Sequence, residues 1–344
     1  MDVLLISNPN STSITQRKLA SIIPVLRSVP EIRLLSQFTQ YAGHAEEMAR
    51  QARTQGWDAV VAIGGDGTVS EVINGLLEEP TDDPDSAAHN VLTVNLPALG
   101  IIPTGSANVF ARAVGFSADT SVAVRQLAEA LTKNERRLVT LGAWADLSSN
   151  SPDQHRWIAV NAGLGIDAEV IHEMEKRRAL GLSASPLRYV FLAAQTWLKG
   201  ASPGSASQPI HVKAEGKDGP LETSEAPLAF VSHTDPWTYL GPFPIRIAKP
   251  GTEQDGFSVF ALRRRNGVRP LLALSGLLFP WLRKGFGKET QTMACARTVK
   301  LHVDEPRDFQ VDGEYVGEFT DIGLTFIPDA MEILSPAPEP RSAR

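Results

Sequence analysis

Apolar residues arrive along this chain in two different rhythms. From residue 1 to about 135, short apolar runs (Val3 to Ile6, Ile32 to Leu35, Ala59 to Ile63, Leu99 to Ile102) alternate with stretches whose apolar positions recur at helical spacing (Ala45 to Gln55, Thr68 to Leu77, Ser106 to Val114). Buried runs separated by helical periods mark βαβ units in a parallel sheet, so residues 1–135 predict a doubly wound α/β domain. After about residue 136 the texture changes to short strand-like pieces punctuated by Gly, Pro and Ser, with helical spacing near Pro186 to Leu198 and Pro270 to Leu282. That pattern predicts a strand-rich, β-sandwich-like second domain over 136–334. Glu79 to Asn90 and Gly200 to Gln208 read as exposed loops, and Ser335 to Arg344, with three prolines, as a disordered tail.

Composition narrows the functional classes. A chain of 344 residues exceeds what one hydrophobic core usually serves, which supports two domains. A formal charge of −6 argues against a general nucleic-acid binder, which needs a surplus of Lys and Arg on its binding face. The single cysteine, Cys295, allows no intrachain disulfide and no thiolate metal cluster, and fits a reducing cytoplasm. Met1 to Ile6 is stopped at once by Ser7-Asn8-Pro9 and lacks a basic leader, so it reads as a first strand rather than a signal peptide. Nowhere do about 18 apolar residues follow one another, the length a spanning helix requires, so any membrane contact is expected to be peripheral. The oligomeric state is not set by the sequence, and a homodimer stays open.

Candidate chemistry begins at Gly64-Gly65-Asp66-Gly67-Thr68, which follows the run Val60 to Ile63 and opens a helical stretch. A glycine turn between strand and helix lets backbone approach phosphate oxygens, and the helix start adds unsatisfied N–H donors. Asp66 brings a negative charge to such a site, which makes sense if Mg²⁺ lies between it and the phosphates. A second turn, Pro103-Thr104-Gly105-Ser106-Ala107-Asn108, also joins strand to helix; Ser106 and Asn108 read either as phosphate or ribose donors or as helix caps. Ser7-Asn8-Pro9-Asn10-Ser11-Thr12 places polar groups after the first strand, at the carboxyl edge where ligands bind in open α/β sheets. Walker and protein-kinase motifs are absent. Gly163-Leu164-Gly165-Ile166-Asp167-Ala168 fits the dinucleotide fingerprint, but no acidic residue stands about 20 positions on, which rejects a dehydrogenase.

Late in the chain, Asp312-Gly313-Glu314 offers two carboxylates around a glycine; on the residues alone it reads as a hairpin turn or as a general base. Thr252-Glu253-Gln254-Asp255-Gly256-Phe257 is a further Asp-Gly turn. Arg263 to Arg265, Arg269, Arg283, Lys284 and Lys288 surround the apolar stretch Leu271 to Leu282, which reads as a helix lying at an anionic lipid surface or as a core helix beside solvated charges. Tyr189, Phe191, Leu192 and Trp197 line an acyl pocket or pack in the core. The histidines form no zinc-type spacing.

Taken together, Gly64 to Thr68 with Asn74, Pro103 to Arg112, Asn161 to Ala168 and Val311 to Glu314 resemble the soluble diacylglycerol kinase family, which includes bacterial lipid kinases and sphingosine kinases. The resemblance implies an N-terminal α/β domain and a C-terminal β-sandwich with ATP at their cleft, in an ATP- and Mg²⁺-dependent enzyme that phosphorylates a lipid hydroxyl, diacylglycerol or a related lipid, at the membrane surface. It implies ATP contacts from Asn8, Pro9, Asn10, Ser11, Thr12, Thr39, Gly64, Gly65, Asp66, Gly67, Thr68, Val69, Ser70 and Ser106. It makes Glu314 the proton acceptor with Asp312 its partner and Asp66 on the metal, and gives a structural Mg²⁺ loop with Asp255 and the carbonyls of Thr252 and Phe257 as ligands. The chain departs from the family pattern at Ser106, Val109 and Thr12, where many members have Thr, Asp and Gly. The rival readings are an NAD kinase, which shares Gly-Gly-Asp-Gly-Thr, and a non-catalytic lipid-binding module of the same fold.

Overall fold

A computed structural model describes residues 1–9, 16–78, 80, 96–148, 155–165, 168–173, 209–217, 219–241, 243–247, 256–263, 268–278 and 288–336. The expected helix at Pro186 to Leu198 and the loop at Gly200 to Gln208 lie outside these residues. The chain divides into two compact units, Met1–Leu141 with Ile327–Arg344, and Gly142–Phe326.

The first unit is built on parallel strands β1 (Asp2–Ser7), β2 (Arg33–Phe38), β3 (Ala59–Gly64) and β4 (Ala98–Pro103), paired in the order β2-β1-β3-β4. β3 and β4 are buried throughout, as a parallel strand covered on both faces must be. Helices α1 (Gln16–Arg27), α2 (His44–Gln55), α3 (Asp66–Leu76), α4 (Val109–Ala113) and α5 (Thr120–Lys133) connect and cover them. The doubly wound α/β expectation holds here. α1 and α5 are additions to the pattern reading: Pro24 interrupts the apolar period of α1, whereas α5 carries a full set of signals. Asp119 caps it by accepting the Ser121 and Val122 amides, and Ala123, Val124, Leu127, Ala130 and Leu131 form its buried stripe. α4 is shorter than the expected Ser106 to Val114, because Asn108 takes a left-handed conformation at φ 48° and the helix starts after it.

α2 and α3 lie close enough that a methyl group at Gly75 would stand 2.2 Å from the Glu46 carbonyl oxygen and 2.7 Å from Ala49 Cβ. Glu71 of α3 ties the same pair from its side chain, accepting the Gly43 and Ala45 amides at the start of α2, each at 3.1 Å. The last strand closes the sheet. Ile333 pairs in parallel with Leu99, Arg136 reaches Glu332 at 3.1 Å, and Arg137 donates to the Ser335 hydroxyl at 2.8 Å. Ser335, where the sequence pattern starts a tail, is therefore a buried and bonded residue; residues 337–344 lie outside the described ones.

The second unit is sheet-rich, as expected, and the strand pairs within it are antiparallel. Its strands are the end of β5 (Arg136–Asp146), β6 (Arg156–Ile158), β7 (Asn161–Gly165), β8 (Ile210–Gly216), β9 (Gly219–Ala226), β10 (Leu228–Ser232), β11 (Thr238–Leu240), β12 (Phe243–Ile245), β13 (Phe257–Leu262), β14 (Thr290–Val311) and most of β15 (Glu314–Leu334). β14, 22 residues long, organises them: it pairs in turn with β13, β8, β15 and β7, with register shifts that let it bend. Trp144, Phe257, Phe309, Ile322 and Phe326 belong to one core beneath it. A second core gathers Phe230, Phe260, Ile245 and Ile247 with Ala273 and Leu277 of α6 (Val268–Leu278), the described part of the expected helix at Pro270 to Leu282. Among the described residues, no helix is long and apolar enough to cross a membrane.

The Gly75 contact gives a direct test. Gly75→Ala gains helix propensity but drives a methyl into the α2 backbone, so a net loss of about 1–3 kcal/mol is expected in urea unfolding of the variant against the parent chain.

Candidate functional site

Four strand ends of the first unit stand side by side at the carboxyl edge of its sheet. The Thr39 amide donates to the Ser7 carbonyl and the Thr104 amide to the Gly64 carbonyl, both at 2.9 Å, so the ends of β1 and β2, and of β3 and β4, stay level beyond the last ladder pair. Gly65 and Gly105 then meet face to face. A Cβ on Gly105 would lie 2.7 Å from Gly65 Cα, and one on Gly64 would lie 2.5 Å from the Thr68 side chain. Neither Gly64 nor Gly105 has room for a Cβ there.

Asn108 fixes the second turn. Its side-chain oxygen accepts the Gly105 amide and its side-chain nitrogen donates to the Gly105 carbonyl, both at 2.8 Å, and the residue is buried. Asn108 stands at the N-cap position of α4, but its side chain makes no capping bond to the helix and clamps the loop instead. Ser106, beside it, is exposed. Asp66, at the first residue of α3, accepts the Phe110 amide at 3.0 Å and so holds α4 against the phosphate loop. Gly65, which has no side chain, caps α3 without a side-chain hydrogen bond.

The remaining nucleotide candidates distribute as follows. Gly65 to Thr68 and Ser70 are half-buried, Asn8 is half-buried, Pro9 is exposed and Thr39 is buried. Val69 turns its side chain into the core, and its amide donates to the Gly65 carbonyl. Asn74 donates to the Ser70 carbonyl at 2.9 Å. Asn10, Ser11 and Thr12 lie outside the described residues.

This edge fits a nucleotide. Two glycines clear the surface, and the helix start bare of a side-chain cap suits phosphate oxygens. Among the described residues no three His, Cys, Asp or Glu side chains gather as a metal cluster. A Mg²⁺ held by one carboxylate, Asp66, with phosphate and water oxygens is the arrangement this donor set suits.

In the second unit, Val311 and Glu314 face each other across a two-residue turn, with Asp312 at φ 53° and Gly313 at φ 83°. Positive φ at both positions is the tight hairpin geometry that Asp-Gly favours. The Asp312 carboxylate is spent within the fold. It accepts three successive amides, Ala159 at 2.9 Å, Val160 at 2.7 Å and Asn161 at 3.1 Å, while its own amide donates to the Asn161 carbonyl at 2.8 Å. Gln310 completes the anchor, accepting the Gly313 amide at 2.9 Å and donating to the Asn161 side chain at 3.0 Å. Glu314, the residue after this pinned turn, is exposed. Thr252 and Asp255 lie outside the described residues, and Phe257 is buried at the start of β13. Gly165 makes room for the Arg307 guanidinium, whose nitrogen would lie 2.9 Å from a Cβ there, and Arg307 pairs with Glu169 at 2.7 Å. That contact accounts for the glycine without a dinucleotide.

A strand-end glycine loop opening a helix, a second glycine turn locked against it, and a carboxylate at the loop define a phosphate-handling α/β enzyme. Residues 2–141 match the diacylglycerol kinase catalytic domain. A diacylglycerol kinase of Bacillus subtilis (strain 168) is 28% identical over 284 residues, covering 81% of this chain and 78% of the relative. One from Staphylococcus saprophyticus is 34% identical over 120 residues, a match that spans 35% of that relative's length. The crystal structure of a diacylglycerol kinase from Bacillus anthracis str. Sterne shares the fold, with a TM-score of 0.61 at 18% identity over 97% of both chains. A second solved structure from that organism superposes with a TM-score of 0.64 at 20% identity, covering 97% of this chain and 95% of the other. Residues 2–141 carry a match to the diacylglycerol kinase catalytic domain and the chain resembles diacylglycerol kinases over most of its length, which together indicate a lipid kinase, a transferase.

Two substitutions separate the roles read here. Asp312→Ala leaves three amides, two of them buried, without this acceptor and should cost about 3 kcal/mol or more, read by thermal or urea unfolding. Gly105→Ala, forced against Gly65, should weaken ADP binding about tenfold or more in calorimetry, the loss expected when a binding backbone is displaced by a fraction of an ångström.

Proposed function

We propose that this lipid kinase transfers the γ-phosphate of ATP to the hydroxyl of diacylglycerol, giving phosphatidic acid and ADP at a membrane surface. The observation that carries the reading is the Gly65–Gly105 contact, which opens a bare backbone surface in front of a helix start free of a side-chain cap. Backbone amides of Gly64 to Thr68 and the polar groups of Asn8 to Thr12, Thr39, Ser70 and Ser106 bind the nucleotide. Val69 contributes through its backbone position alone, its side chain being part of the core.

Chemically, the lipid oxygen forms a bond to the γ-phosphorus as the bond from that phosphorus to the β-phosphate bridging oxygen breaks, and the hydroxyl proton passes to the Glu314 carboxylate. Mg²⁺, when bound, neutralises charge that builds on the phosphates. Asp66 holds it. Asp312 acts one step removed: with its oxygens on three amides it fixes the turn, and therefore where Glu314 stands. The same reading assigns a structural Mg²⁺ to Asp255 with the carbonyls of Thr252 and Phe257.

The deciding assay offers labelled ATP and Mg²⁺ with detergent-dispersed diacylglycerol, monoacylglycerol, ceramide or sphingosine, and NAD as a soluble acceptor. Label is expected in phosphatidic acid; label in NADP alone would overturn the proposal. Glu314→Gln is expected to lower kcat by about 10²–10⁴, the range a positioned general base supplies, while ADP affinity stays within about twofold. Undiminished turnover in that variant would remove Glu314 from the chemistry.

A further inference from the structure

We infer that His172 is a positioning residue for the reaction: stacked on Tyr315, it grips β15 one residue beyond Glu314 and sets where that carboxylate stands; this role rests on the reading of Glu314 as proton acceptor. The Asp312 anchor holds the chain on the near side of Glu314. A strand gripped on one side only can pivot about that grip, so the residue on the far side matters as much.

Tyr315 is held face on. The His172 imidazole lies over its ring with the centroids 3.8 Å apart and the planes 13° from parallel. Two rings at van der Waals separation leave no room for water between them, and each restricts the rotamer of the other. Tyr315 packs in neither hydrophobic core of this unit, so the stack is not a by-product of core packing. It is half-buried, whereas Glu314 is exposed. Successive residues of a strand point to opposite faces, so the stack grips β15 from the side away from the Glu314 carboxylate and does not cover it.

His172 is in turn held by the other strand of the same hairpin. Its Nδ1 stands 3.4 Å from an Asp308 carboxylate oxygen. An ionised carboxylate only accepts hydrogen bonds, so Nδ1 is the donor, and the ring cannot turn over without losing the contact. Asp308 lies on β14 two residues before Gln310, which faces Tyr315 across the ladder. Residues 168–173 are helical, and Glu169, three positions before His172 and so on the same side of that helix, pairs with Arg307 at 2.7 Å. Arg307 and Asp308 therefore fix one side of the helix, and the helix fixes the ring over Tyr315. His172 touches no reacting atom; it acts through Glu314.

The test is steady-state kinetics of the full chain, with labelled ATP and the lipid of the panel above that accepts label, on His172→Ala, His172→Phe, Glu314→Gln and the double variant His172→Ala with Glu314→Gln. His172→Ala should lower kcat about tenfold or more, the loss expected when a reacting group is displaced by a fraction of an ångström, with KM for ATP and ADP affinity held within about twofold. His172→Phe keeps a ring over Tyr315 and should recover most of the rate. In the Glu314→Gln background no carboxylate is left to position, so His172→Ala should lower kcat no further. A merely structural role would cut the double variant again, or weaken ADP binding in step with kcat, and either result overturns the inference. Full turnover in His172→Ala beside an impaired Glu314→Gln also overturns it and leaves the proton-acceptor reading standing. Full turnover in Glu314→Gln removes that reading, and the role of His172 with it.

Discussion

The main chain at Gly65 comes so close to Gly105 that Gly105 has no room for a β-carbon, and the binding edge of the first unit depends on that contact. Gly65 meets Gly105 because β3 and β4 run parallel in a register that pairs Gly64 with Pro103, bringing both strands to an end at one level. Everything else at that edge follows from keeping the two turns in place. Asn108 clamps Gly105 from within its own loop, and Asp66 ties the first turn to α4. The Thr120 hydroxyl donates to the Pro103 carbonyl at 2.8 Å, so α5 begins where β4 ends. A binding surface made of backbone has to be held from behind, and the polar side chains near these turns are largely engaged in that work.

The two carboxylates singled out with Glu314 illustrate how one functional group serves different ends. Asp312 is saturated by amides and buried, a state that suits an anchor. Asp66 sits half-buried at a helix start, where a negative charge is favoured by the helix and remains able to meet a cation. Glu314 differs from both: it is exposed, and its position is inherited from the rigid turn before it.

What could be read from the residues alone was what local sequence dictates. The loop at Gly64 to Thr68 was legible because a strand, glycines and a helix follow one another without a gap, and the Asp312-Gly313 turn because that dipeptide has one preferred geometry. The α/β and sheet-rich halves follow from periodicity, and the Asp119 cap and regular apolar stripe of α5 are the local signals that mark that helix. Long-range partnerships were not legible. Nothing near Asp312 announces that its acceptors face Ala159 to Asn161, some 150 residues earlier. Glu71 reads as an ordinary helix-surface acid until the start of α2 is placed beside it. Gly75 likewise looks like simple tolerance of glycine and Gly165 like part of a dinucleotide fingerprint; the first answers to a neighbouring helix and the second to the Arg307 guanidinium.

The return of β15 to the first unit has a consequence for how the molecule comes into being. The stretch matched to the catalytic domain ends at residue 141, but the sheet that carries the phosphate loop takes a strand from near residue 333. A ribosome that has finished the first 141 residues has therefore made every loop of the nucleotide edge and still lacks the strand that covers β4. Until the residues near 333 emerge, that side of β4 is an open ladder of amides and carbonyls. The unit of ancestry and the unit of folding are thus different pieces of chain, and an excised fragment cut at the boundary of the first would be an unfinished version of the second.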